Sequence, residues 1–243
     1  MKTVRIAAIA TIAIILGASF ASCNKDDNPV GGDFFKEKKL TKISVDDSYL
    51  SFTYDNKGRL IKAERNDGYK QTVKWEDDVI KTTDNVDYIY TLPLSNGLVQ
   101  SIYYDDQEEE KALYNLSNRL FKWESGETQT KFVWDEDKLI RATYVEYGTT
   151  YENALTYDKS CKKGYFPLLH TIVDFETSLY ILYTHPELFG LHTTQLPASH
   201  TCSYGNNKSY TETYSYEFDN EGYITKVTRT NDGEVLTYTL SWE

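Results

Sequence analysis

Apolar and polar residues alternate along most of the chain, and short polar breaks interrupt the alternation at nearly even intervals. Phe52-Thr53-Tyr54 runs into Asp55-Asn56-Lys57-Gly58 and out through Arg59-Leu60-Ile61, and Val73-Lys74-Trp75 runs into Glu76-Asp77-Asp78 and out through Val79-Ile80. The outline returns at Leu92 to Val99, Leu113 to Leu120 and Phe132 to Ile140, then after a long gap at Tyr216 to Ile224. A period of two is the mark of a strand with one buried face. Asn and Asp bond their own backbone and Gly reaches positive φ, so each break reads as a hairpin turn. A second set of turns, at Asn66-Asp67-Gly68, Ser125-Gly126 and Asn231-Asp232-Gly233, joins one hairpin to the next.

Two turns in each period of about twenty residues mean two strands per repeat. The pattern therefore predicts an all-β, antiparallel up-and-down meander of about twelve to seventeen strands, curled into a curved sheet or partial barrel to manage its edges. Its tips fall near Asn56, Asp77, Asn96, Ser117, Glu136 and Asn220.

From about Lys159 to Ser209 the rhythm fails. This stretch holds Pro167, Pro186 and Pro197, the four histidines His170, His185, His192 and His200, and both Cys161 and Cys202. It reads as a long excursion packed against the meander, with a strand over Ser178 to Thr184. Pro186 near the start and Gly190 at the end mark one capped helical turn from Thr184 to Gly190.

The amino-terminal residues carry an address. Lys2 and Arg5 precede an apolar run from Ile6 to Leu16, too short for a membrane-spanning helix of roughly 20 residues and suited to a signal peptide. Phe20-Ala21-Ser22-Cys23 resembles the lipobox cut by lipoprotein signal peptidase, with Phe20 where that pattern has Leu. The resemblance implies cleavage before Cys23 and lipid on its sulfur, a membrane anchor. The following Asn24-Lys25-Asp26-Asp27-Asn28-Pro29 is similar to the signal that carries some lipoproteins to the outer face of the outer membrane. Residues 1–22 are thus expected to be removed, 23–39 to form a lipidated tether, and 40–243 to fold as one domain.

Of the 26 Lys and Arg, two lie in the signal, so the mature chain carries 24 basic and 37 acidic residues, a net charge of -13. That excludes an electrostatic footprint for nucleic acid. It also leaves membrane attachment to the lipid anchor and not to a basic patch. The acids cluster at Asp77-Asp78, Asp105-Asp106, Glu108 to Glu110 and Asp135-Glu136-Asp137. Most fall on predicted tips and read as solvated turns. No nucleophile elbow, phosphate loop or metal-ligand spacing appears, so no catalytic, cofactor or metal residues are assigned. Cys161 and Cys202 could pair as a disulfide in an exported protein or stay buried thiols.

The phrases Tyr54-Asp55-Asn56-Lys57-Gly58-Arg59-Leu60 and Phe218-Asp219-Asn220-Glu221-Gly222-Tyr223-Ile224 are similar to the YD repeats of Rhs proteins and teneurins, which form large β shells. The lipoprotein start, the degenerate hairpins, Tyr157-Asp158-Lys159 leading to Phe166-Pro167, Gln195-Leu196-Pro197 and the closing Gly222-Tyr223 together resemble gut-commensal lipoproteins of unknown function with a porin-like fold. That resemblance implies a curved sheet or partial barrel and carries no site residues. A membrane pore is not implied, because exposed strand positions such as Lys70, Lys74 and Glu76 are charged, unlike the apolar band of a membrane barrel.

The 21 Tyr, 10 Phe and 4 Trp remain as candidates for function. On an exposed face they could stack on sugar rings or anchor a partner; inside the sheet they would pair across strands. The sequence therefore supports a surface-anchored, noncovalent binding module for a glycan or other polymer, without turnover. A structural or interaction protein of the cell envelope is the alternative, and a hydrolase stands third.

Overall fold

The computed structural model describes residues 38–104, 107–173, 175, 179–205 and 208–243. The repeat resolves into hairpins. The first pairs are β1 (Leu40–Val45) with β2 (Ser48–Tyr54), β3 (Leu60–Arg65) with β4 (Lys70–Trp75), and β5 (Val79–Asp84) with β6 (Ile89–Ser95). Next come β7 (Leu98–Val99), β8 (Ser101–Tyr104), β9 (Gln107–Tyr114), β10 (Leu120–Ser125), β11 (Thr128–Asp135), β12 (Lys138–Glu146) and β13 (Thr149–Ser160). The wall ends with β14 (Gln195–Tyr204), β15 (Lys208–Phe218), β16 (Ile224–Asn231) and β17 (Glu234–Trp242). All six predicted tips fall in turns or bends.

The sheet is not an open curve. Along the wall each strand pairs antiparallel with its neighbour in sequence, and β17 pairs with β1, Leu40 opposite Trp242 and Val45 opposite Tyr238. β7 and β8 are one strand broken at Gln100, both pairing with β6, so the wall is a closed barrel of 16 strands. The physical reason is the edge: an open meander leaves two rows of unpaired backbone groups, and closure alone removes both.

The interruption is also shorter than the sequence suggested, and it lies elsewhere. β13 and β14 pair from Tyr151 opposite Tyr204 down to Ser160 opposite Gln195. Only the segment between them leaves the wall. It holds α1 (Leu169–Ile172), α2 (Ile181–Thr184) and the expected short turn, a 3-10 helix at Pro186–Phe189 ended by Gly190 at φ 61°. The strand expected over Ser178 to Thr184 is replaced by α2, with Ser178 itself outside the described residues. The segment's rings meet strands from all round the wall: Tyr183 meets Phe52 of β2, Phe175 meets Trp123 of β10 and Phe132 of β11, Phe166 meets Tyr216 of β15, and Tyr165 meets Trp242 of β17. Only a segment inside the barrel can touch all of these, so the excursion fills the lumen and is not packed against the outside.

Alternation then explains both faces. Leu60, Val73, Ile80, Leu92, Phe132, Leu139, Leu155, Val227 and Leu240 point inward and are buried. Lys62 pairs with Glu64, Lys74 with Glu76, Lys122 with Glu124 and Lys226 with Glu217 on the outer wall. Exposed Ile61, Phe121 and Ile140 are the extra residues of three β-bulges. A membrane porin turns an apolar band outward and keeps its channel wet; this barrel does the reverse.

Candidate functional site

The two ends of the lumen are built differently. At the end where the chain enters, with the tips at Asn56, Asp77 and Asn220, seven aromatic side chains donate to backbone carbonyls. Tyr54 donates to Leu40, Trp75 to Leu60, Tyr114 to Val99, Trp134 to Leu120, Tyr157 to Leu139, Tyr216 to Pro197 and Trp242 to Ile224. Each acceptor stands beside a register shift or strand end, where the regular ladder is interrupted. The aromatic N–H or O–H supplies the donor that the bulged backbone would otherwise lack.

The lumen segment threads through this ring. Tyr54 and Trp75 flank His185, and Arg119 donates to the His192 carbonyl. Gly190 lies so close to the wall that a Cβ would stand 2.6 Å from the Asn118 carbonyl and 2.7 Å from the Leu120 nitrogen. A recess of about 40 Å³ lies beside Tyr54, His185 and Glu187. Burial pushes the Glu187 carboxyl up to about 8 and His185 down to about 3. This end is sealed.

The far end is not. A cavity of about 310 Å³ lies inside the wall there, floored by Phe166, Leu168 and Ile172 of the lumen segment. Its polar lining comes from four strands. Asn153 of β13 and Glu212 of β15 are 2% and 6% exposed. His200 Nε2 of β14 lies 2.8 Å from Asn153 Oδ1, and its Nδ1 lies 3.4 Å from Glu212 Oε2. Tyr214 Oη donates to Glu212 Oε2 at 2.8 Å, and Arg229 Nη1 of β16 is 3.5 Å from Glu212 Oε1. Burial alone would raise the Glu212 carboxyl, but the bonds from His200 and Tyr214 and the charge of Arg229 outweigh it and hold the group below the usual range. The cavity thus contains a carboxylate fixed in its ionised form. The amide Nδ2 of Asn153 is buried with no hydrogen-bond partner, an arrangement that costs about 1–3 kcal/mol unless something fills it. Tyr144, Tyr210 and Tyr238 stand around these groups. Above them Tyr144, Tyr151 and Tyr204, opposite one another on β12, β13 and β14, stack at 4.9 and 5.9 Å.

The residues singled out from the sequence scatter. Cys23, the lipidation site, lies outside the described residues. The disulfide left open for Cys161 and Cys202 does not form. Cys202 lies opposite Asn153, and at about 3.3 Å per residue along β13 that is roughly 26 Å from Cys161, whereas bridged Cα atoms stand within about 7 Å. Cys202 instead lines the cavity. The histidines separate: His170 and His185 are buried in the lumen and held down to about 3 by burial, His192 sits at the sealed end, and His200 joins the cavity. Among the described residues no group of three or more His, Cys, Asp or Glu comes together. Asp77-Asp78 and Asp135 to Asp137 occupy or adjoin tips, and Asp105-Asp106 lies outside the described residues. Among the described residues no Trp is exposed, whereas Tyr49, Tyr88, Phe121, Tyr147, Tyr210 and Phe218 are.

Asn153, Glu212 and Arg229 drew no notice in the sequence. A signal was nonetheless present: each is a polar residue on an inward, otherwise aromatic or apolar register, as in Tyr210, Glu212, Tyr214 and Tyr216 or Tyr151, Asn153, Leu155 and Tyr157.

Fold and site together define a closed antiparallel barrel with a filled lumen and one internal cavity end. Two solved structures share this architecture. A porin-like protein from Bacteroides uniformis superposes with a TM-score of 0.63 at 14% identity, covering 84% of this chain and 98% of that one. A porin-like protein from Bacteroides vulgatus gives 0.61 at 14% identity, covering 84% and 99%. The likeness bears out the porin-like fold implied by the sequence resemblance. No protein-family model matches the chain, and no curated protein matches it in sequence.

Proposed function

We propose that this protein is a lipid-tethered, non-enzymatic binding barrel of a bacterial envelope that takes one unit of a neutral saccharide into the cavity at its far end. The observation that carries the reading is Asn153 Nδ2, a buried donor without a partner beside an ionised carboxylate. A sugar hydroxyl both accepts and donates, so it can take the Asn153 hydrogen and give one to Glu212, while the tyrosines cover the ring's apolar face. The volume is at the lower end of the roughly 300–1,000 Å³ of ligand pockets, enough for a ring and not for a polymer strand. Binding without turnover is supported by the lining, which holds one carboxylate, whereas glycoside hydrolysis uses two.

Position supports the same reading. Lys38 contacts Tyr223 and Glu221 at the sealed end, so the described chain enters the barrel at the end opposite the cavity. Low identity to the porin-like structures gives fold alone, and the envelope location rests on the signal and Cys23.

The test is calorimetric titration of the purified domain with neutral sugars, alongside Asn153→Leu and Arg229→Met. Saturable binding that both substitutions abolish, with no released product, is the expected result. Binding that survives both would remove the cavity from the account, and product release would make the protein an enzyme. For the anchor, Cys23→Ala should leave the membrane fraction; unchanged fractionation and size would refute lipidation.

A further inference from the structure

A second cavity, of about 350 Å³, lies beside the first. It opens within β1 to β3 and the lumen segment, lined by Ile43, Leu50, Arg65, Tyr180 and Tyr183. Two residues, Leu168 and Tyr238, line both cavities and are what divides them. Tyr238 lies on β17, between β16 with Arg229 on one side and β1 with Ile43 on the other. Leu168 immediately precedes α1.

The two compartments differ in chemistry. The first offers hydrogen-bonding groups held in place: the Asn153 amide, the Glu212 carboxylate and the Arg229 guanidinium. The second is aromatic. Tyr180 and Tyr183 stand with ring centroids 6.4 Å apart, and Arg65, which pairs with Asp67, lines the same cavity. Burial of Tyr183 and Tyr180 against Phe52, Tyr69 and His170 fixes this wall.

We infer that the two cavities are adjoining subsites of one cleft, and that the ligand is a neutral oligosaccharide of at least two residues. The first subsite would fix one ring by hydrogen bonds, and the second would carry the next ring on tyrosine faces across the edge formed by Tyr238. This rests on the saccharide reading above and adds chain length and direction to it. Linked units make the second contact intramolecular, so a modest stacking surface raises affinity well beyond that of a single ring, and base or sugar stacking on aromatic faces is the kind of contact that tolerates variation in the ring. The second cavity is the more open of the two and reaches the rim beside Ser48 and Val45, which leaves room for a chain to continue outward.

The experiment titrates the purified domain with the mono-, di- and trisaccharides of xylose, mannose, galactose, glucose and N-acetylglucosamine, in the native protein and in Arg65→Met and Arg229→Met. Arg65 is about half exposed, so its substitution leaves the wall intact, and a circular dichroism melt checks this. At least a tenfold gain in affinity from mono- to disaccharide is expected in the native protein. Arg65→Met should reduce that gain severalfold while leaving the monosaccharide affinity unchanged, and Arg229→Met should abolish binding by every member of the series. Equal affinities along a series that does bind would overturn the two-subsite inference and leave the saccharide reading standing. Absence of binding by all fifteen sugars in the folded native protein would overturn both.

Discussion

The sealed end and the cavity end are made from the same hairpins and nearly the same residue types, yet one is finished and the other is not. At the sealed end, aromatic N–H and O–H groups go to the backbone of the neighbouring strand, as Trp75 does to Leu60 at 2.8 Å and Trp242 to Ile224 at 2.7 Å. At the cavity end, Tyr214 bonds a side chain, Glu212, and the Asn153 amide nitrogen bonds nothing. Protein interiors satisfy their polar groups almost without exception. The bonded ring of aromatic donors therefore belongs to the part that holds the fold, and the Asn153 amide nitrogen to a part kept ready for something else.

The largest expected effect comes from breaking the seal. Gly190→Val places a branched side chain at positive φ against the Asn118 carbonyl and the Leu120 nitrogen, and should cost more than about 4 kcal/mol, the range reserved for overpacking and backbone strain together. A thermal melt within a few degrees of the native protein would show that the lumen segment is not wedged there.

Acid should act next. His170 and His185 sit near 3 in the fold against about 6.5 unfolded. Below about pH 6.5 the unfolded chain binds protons that the fold refuses, so stability falls as pH falls, by about 1.4 kcal/mol per unit for each histidine. Glu187, raised to about 8, works oppositely and removes stability as pH climbs from about 4.5 to 8. The melting temperature should peak near pH 6.5, and Glu187→Gln should flatten its alkaline side. A peak that stays put with an unchanged alkaline limb in Glu187→Gln would show that this carboxyl is ionised in the fold.

Deleting one hydroxyl sharpens the comparison. Tyr157→Phe strips the Leu139 carbonyl of its donor and should cost about 1–3 kcal/mol in denaturant unfolding, with no change in ligand affinity. An unaffected midpoint would mean that the carbonyl has another donor. The smallest effect belongs to the outer wall: Glu152→Gln, opposite Arg141 at 3.7 Å, should shift stability by less than about 0.5 kcal/mol.

Turn chemistry made the tips readable from sequence, because Asp55, Asn96, Asn115 and Asp219 announce local geometry that needs no distant partner. Closure was not readable. It depends on Leu40 meeting Trp242, a pairing set by strand number and register across the whole chain. The segment read as an excursion packed against the meander, and a long irregular stretch carries no sign of which side of a sheet it will take. The cavity was least legible: Asn153, His200, Glu212 and Arg229 converge through the registers of β13 to β16, and no local spacing encodes that. Only His200 and Cys202 were noticed beforehand, for their residue types.

Closure of β17 on β1 has a kinetic side. The two partners lie roughly two hundred residues apart, and the entropic cost of joining them grows only as the logarithm of that distance, but folding rate falls steeply as contacts become nonlocal. The hairpins can form as they emerge, each from its own turn, whereas the seam must wait for the last strand. Until then a long sheet carries two sticky margins on one chain, open to any similar chain nearby. Lys39 and Glu243 exchange backbone bonds beside the seam, so a barrel domain can be linked between these two positions and reopened at a distal turn such as Gly126, where an added Cβ meets nothing within 4 Å. Such a permutant moves the late step to a different pair of strands while the finished wall stays the same, which makes the timing of assembly a property of where the chain is cut and not of the barrel itself.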